Sequence, residues 1–214
     1  MTRLNPPPHV GGYIIQTSSK LFGSAAGFVL ALGLLMALCR TAAAGEPTAF
    51  DLVKEGNRHV GEEARDRVVQ IRSEKSIGTL TPNVWYVVYF DPDATAKATE
   101  VKFAGGKKIS VKRPTRILEP ITGAHKELAK DKLKVDSERA IKIATAEPVL
   151  KNVTLKATRL TLERWGGDNL PVWKVRLWAA KLKNPNDNTD IGEVFVAADD
   201  GKVVKNDLHI NRVD

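Results

Sequence analysis

Residues 135–206 constrain the chain more than any other stretch, because they form one helix-and-strand unit and much of that unit recurs upstream. It opens with VDSERAIKIATAEPV. Asp136 is a natural N-cap there, Val135 and Ala140 can staple across it, and Pro148 ends or kinks the helix. Ala140, Ile141 and Ala144 give the buried side, with Ile143 at its margin. Val153 to Trp165 then alternates through Val153, Leu155 and Ala157 and changes phase at Leu160 and Leu162, which predicts a bulge. Gly166 to Asn169 is a turn. The next strand places Trp173, Val175, Leu177 and Ala179 on one face. After a polar loop from Lys183 to Asp190, Glu193–Ala197 and Lys202–Lys205 form a hairpin through Asp200-Gly201.

The upstream copy is shorter. Val84-Trp85-Tyr86-Val87 matches Val172-Trp173-Lys174-Val175, Glu100-Val101 and Phe103-Ala104 match Glu193-Val194 and Val196-Ala197, and Gly106-Lys107 matches Gly201-Lys202. Ahead of these strands, Phe50, Val53, Val60, Ala64, Val68 and Ile71 recur at helical spacings, which predicts a helix from Phe50 to about Arg72. The first half then has no counterpart of Val153–Trp165 and is a strand short. The expected fold class is α+β, as two tandem units over residues 46–113 and 135–206, each a helix packed on an antiparallel sheet. A linker, 114–134, and a tail, 207–214, complete the chain, and a continuous sheet shared by the two units is one arrangement of them.

Residues 1–44 have the pattern of an export signal. Arg3 and Lys20 precede an uncharged run from Leu21 to Leu38, and Thr41-Ala42-Ala43-Ala44 offers the small residues a signal peptidase reads, with the cut after Ala44. The run spans 18 residues, close to the ~18 at which a membrane helix is suspected. An uncleaved N-terminal membrane anchor is therefore the alternative to a periplasmic or extracellular protein. Cys39 is the single cysteine and precedes that cut, so the mature chain would hold together without disulfides.

The remainder is a mixed-charge chain. The formal net charge is +8, from 33 Lys and Arg against 25 Asp and Glu. The basic residues are interspersed with acids rather than gathered in a patch, which argues against nucleic-acid binding. His59, His125 and His209 are too scattered for a zinc site. Asn186, Asn188 and Asp190 have the alternation of a calcium loop, but Ile191 stands where the glycine belongs and Ala197 where the closing Glu belongs. No phosphate loop or nucleophile elbow occurs. The expectation is a non-enzymatic chain with no catalytic residues, no metal and no cofactor.

The second unit resembles the PepSY domain family. The features that carry the resemblance are Ser137-Glu138-x-Ala140-x-x-x-Ala144, Pro171-Val172-Trp173-Lys174-Val175, and Glu193-Val194-Phe195-Val196 followed by Asp200-Gly201-Lys202-Val203. In plan, the tandem units are similar to the β-lactamase inhibitor protein. The resemblance implies a helix on an antiparallel sheet, an envelope or secreted location, and a role in binding or restraining a protein partner such as a hydrolase or peptidase. A carrier enclosing a small apolar ligand between helix and sheet is the alternative; a pocket lined by Trp85, Trp173 and Leu162 would favour it.

Alternation also places the candidate site. If Trp85, Val87 and Tyr89 point inward with Trp173, Val175 and Leu177, then Tyr86, Val88 and Phe90 point out with Lys174, Arg176, Trp178 and Phe195. A wet sheet face is usually polar, whereas aromatics beside cations are typical of protein interfaces. Trp178, Lys174, Arg176, Tyr86, Phe90 and Phe195 are the predicted partner-contacting residues.

Overall fold

The computed structural model describes residues 46–114, 127–166 and 170–214. The expected leader with Cys39 and its cut lies outside the described residues, as do His125, the 115–126 part of the linker and turn positions 167–169. Residues 45–214 form one compact unit.

Helix α1 spans Ala49–Gly56 and α2 spans Ser137–Thr145. The strands are β1 (Val68–Ser73), β2 (Val84–Phe90), β3 (Ala98–Ala104), β4 (Lys107–Lys112), β5 (Leu155–Trp165), β6 (Leu170–Ala180), β7 (Asn188–Ala197) and β8 (Val203–Leu208). They form a single antiparallel sheet in the order β4-β3-β2-β1-β5-β6-β7-β8.

This overturns the expected fold class. The chain does not build two units that each carry a helix on their own sheet. It builds one eight-stranded sheet, and the two α-helices among the described residues are only eight and nine residues long. The reason lies in residues 57–73. They continue the apolar spacing of α1 but not its conformation: the helix stops at Gly56, with Asn57 as C-cap. Val60 and Ala64 are buried from a loop and a short 3-10 turn. Val68 and Ile71 are buried from β1, across a bulge that mimics helical spacing. The first half is therefore not a strand short. β1 pairs with β5 through Ile71↔Leu162 and Arg72↔Thr161 and merges the two halves.

Few main-chain pairs hold that seam, and buried hydroxyls complete it. Ser73 Oγ accepts from the Leu160 amide at 2.9 Å, and Ser76 Oγ accepts from the Thr158 amide at 2.9 Å. The Ser76 amide donates to the Thr158 carbonyl at 2.8 Å. Ser73, Ser76 and Thr158 are all buried, where an unmade hydrogen bond would be costly.

One face of the sheet is apolar throughout. Trp85, Val87, Tyr89, Val101, Phe103, Leu162, Trp173, Val175, Leu177 and Val194 belong to a single core cluster that also holds residues of α1 and α2. A bulge in β5 is present but falls between Leu155 and Ala157, ahead of the phase change expected after Ala157, so Ala157 stands opposite Trp178 on the outer face. The helices meet at their N-termini over this core. Asp136 Oδ1 accepts from Ser137 N at 2.6 Å and from Phe50 N at 3.2 Å, and Ser137 Oγ accepts from Ala49 N at 3.1 Å. One carboxylate thus serves orphan donors of both helices. Thr48 and Asp51 close a capping box on α1. Trp173 Nε1 donates to the Val135 carbonyl at 2.7 Å, which ties α2 to β6.

Candidate functional site: the outer face of the sheet

The face away from the helices is built by the alternation that fills the core. Lys102, Tyr86, Arg72, Thr161, Lys174, Phe195 and Lys205 stand directly opposite one another on successive strands from β3 to β8. This row interleaves rings with cations. The Arg72 guanidinium lies 4.3 Å and Lys102 Nζ 5.0 Å from the Tyr86 ring centroid. Lys174 and Lys205 flank Phe195 at 5.7 and 5.2 Å. Such contacts contribute about 0.5–1 kcal/mol each at exposed sites.

Acids neutralise most of this charge. Arg72 pairs with Glu100, and Lys174 with Glu163. Gln70 donates to Glu163 at 2.9 Å. Arg176 Nε lies 2.7 Å from Glu193 Oε1 and 3.6 Å from Asp190 Oδ2, as an ion pair whose angle is not that of a hydrogen bond. Glu74 accepts from the Tyr86 hydroxyl and from Lys102, and these two donors hold its carboxyl below the usual range. The face offers charges of both signs, already paired, with aromatic edges between them. It can recognise a surface of mixed charge.

All six predicted site residues lie on this face, but they do not form one patch. Tyr86, Lys174 and Phe195 share the central row. Phe195 is buried, its ring 5.4 Å from that of Trp165, so it supports the face rather than presenting itself. Phe90 lies four residues from Tyr86 along β2, below the Arg67 guanidinium at 4.4 Å. Trp178 lies four residues from Lys174 along β6 in the opposite direction. At ~3.3 Å per residue each is ~13 Å from the central row, and β1 and β5 stand between their strands. Trp178 is half-buried opposite the small Ala157. Lys75 Nζ lies 4.6 Å from its ring and the Arg159 guanidinium 5.9 Å.

Sequence reasoning missed Arg72 and Lys102 in the central row, Glu100 beside it, and Lys75 and Arg159 beside Trp178. Arg72 and Gln70 were hidden by reading β1 as helix. The alternation of Gln70 and Arg72 with Ile71 and Ser73 was the available signal.

The residues named for an apolar-ligand pocket do not line one. Trp85, Trp173 and Leu162 are fully packed into the core. Two clefts of about 390 Å³ flank the 76–81 loop, and neither is lined by these residues. Among the described residues no group of His, Cys, Asp and Glu could hold a metal ion, and no helix is long and apolar enough to cross a membrane.

Compared with known proteins, the chain matches no family model, no curated protein and no solved structure.

Proposed function

We propose that the chain is an exported, non-enzymatic binding module that restrains a protein partner, such as an envelope hydrolase or peptidase, through the outer face of its sheet. The PepSY-like motifs suggest the partner class. The observation that carries the reading is the row from Lys102 to Lys205, in which rings alternate with cations across seven strands. Aromatic and Arg side chains dominate binding energy in protein interfaces, and a row of them spread over seven strands suits a macromolecule better than a small ligand, which takes a concave pocket.

The test is peptidase and hydrolase activity in an envelope extract, with and without added mature chain. The chain should lower one such activity. Trp178→Ala and Tyr86→Ala should each weaken that inhibition about 30-fold, the equivalent of the ~2 kcal/mol of a hot-spot residue. Urea unfolding is measured in parallel. Undiminished inhibition by both variants, or loss of inhibition matched by loss of folding, removes the outer face as the binding surface.

A further inference from the structure

One end of the sheet differs from the other. β1, β3, β6 and β8 finish there and β2, β4, β5 and β7 begin there, so it gathers the connections 74–83, 105–106, 146–154 and 181–187 and the C-terminal turn. Hydrogen bonds tie these segments together: Ala180 N donates to Thr154 O at 2.8 Å, and Leu182 N to Val213 O at 2.7 Å. The three most exposed large apolar side chains among the described residues lie at this end: Ile77 at 90%, Leu182 at 66% and Ile109 at 57%. Val149 and Ile210 add two more on neighbouring segments.

Each of these residues has a basic neighbour in the chain. Lys75 stands two before Ile77, Lys108 precedes Ile109, and Lys151 stands two after Val149. Lys181 and Lys183 flank Leu182, and Arg212 stands two after Ile210. These six cations outnumber the four acids on the same connections, Glu74, Glu147, Asp187 and Asp214, and three of those acids accept hydrogen bonds. Glu74 accepts from Tyr86 and Lys102, Glu147 from Asn206 at 2.6 Å, and Asp187 from Asn184 at 3.0 Å. An apolar tip ringed by flexible cations is the pattern that inserts at the boundary of headgroup and acyl chain in an anionic bilayer.

The chain also enters the compact unit here. Glu46 lines a cleft with Ile77, and Pro47 lies against the Gly105-Gly106 turn.

The geometry points to this end as a lipid-contacting surface that rests on a bilayer of anionic headgroups. It stands apart from the central row, which lies on the sheet face; it shares Lys75 with the surroundings of Trp178, so the variants that test it leave Lys75 and Trp178 untouched.

The test uses residues 45–214, a compact unit whose core is made by its own side chains, so that the apolar leader cannot mediate binding. Flotation is measured with vesicles of phosphatidylcholine alone and of phosphatidylcholine with phosphatidylglycerol. The protein floats with the phosphatidylglycerol vesicles, less so in high salt, and stays behind with phosphatidylcholine alone. Ile77→Asp with Leu182→Asp reduces binding at least tenfold. Lys181→Gln with Lys183→Gln reduces it while leaving the apolar tips intact, by about fivefold per lysine from the ~1 kcal/mol each contributes near such a surface. Val204→Asp, exposed on β8 outside these connections, leaves it unchanged. Ile77, Leu182, Lys183 and Val204 are exposed and Lys181 is half-buried, so circular dichroism of the variants stays that of the parent. Absence of flotation with phosphatidylglycerol vesicles overturns the inference, as does flotation that survives both double variants or falls equally with Val204→Asp.

Discussion

Gly56 ends α1 directly above Tyr89, whose hydroxyl donates to the Val53 carbonyl at 3.0 Å. A Cβ at position 56 would lie 2.2 Å from that hydroxyl. Alanine favours a helix over glycine by up to ~1 kcal/mol, but here it must displace a buried ring and break its hydrogen bond, at roughly 1–3 kcal/mol for each effect. Gly56→Ala should therefore lower stability in urea unfolding despite the better propensity. Gly56→Ala combined with Tyr89→Phe should lose less than the sum of the two single changes; strict additivity would show that they do not touch. Asp91 supplies a pH-dependent contribution. Burial pushes its carboxyl up, but the Thr99 hydroxyl, the Asp93 and Ala94 amides and the Arg113 guanidinium outweigh that and hold it below its ordinary 3.8. A depressed folded value means stability that is complete above the unfolded value near 3.8 and lost as pH falls through the lower, folded one. Asp91→Asn should flatten the acid limb of the stability profile below about pH 4 and lower the plateau above it. An unchanged limb would show that other carboxylates set it.

The elements depend on one another through Asp136. A helix cap is typically worth about 1 kcal/mol, and this carboxylate accepts from donors at the starts of two helices. Asp136→Ala should cost about 2–3 kcal/mol, while Asp136→Asn, which keeps an acceptor oxygen, should recover most of it in thermal unfolding. A loss below 0.5 kcal/mol, small beside an ordinary cap, would mean that water replaces both bonds. The Asp136 cap and the strands β2 to β8 were legible because cap chemistry and period-2 alternation are local signals. The outer-face site followed from the same alternation, with Trp85 and Trp173 marking the inner side and Tyr86 and Lys174 the outer. β1 was not legible. Its bulge at Val68–Gln70 breaks the alternation, and Val60 and Ala64 in the preceding loop extend the spacing of α1 into it. The donors that Asp136 receives from α1 were also invisible, since no local pattern brings Phe50 to a residue 86 positions away.

At the scale of the molecule, the seam between β1 and β5 decides whether the sheet behaves as one body. Ile71 and Leu162 are fully buried across it, and the single core cluster runs beneath both halves. Ser73 and Ser76 supply the hydrogen bonds that the short ladder does not. A half of the sheet exposed at this seam would leave the amides of Leu160 and Thr158 without their protein acceptors and bare the apolar edge of the core. Loss of one half therefore destabilises the other. Residues 45–214 should unfold in urea as a single transition, with amide signals of β3 and β7 vanishing at the same midpoint. Ser73→Ala and Ser76→Ala should each move both sets of signals together, by about 1–3 kcal/mol for an unsatisfied buried donor. Separate midpoints for β3 and β7, or a seam variant that shifts only one of them, would show two independently stable halves and a seam that merely abuts them.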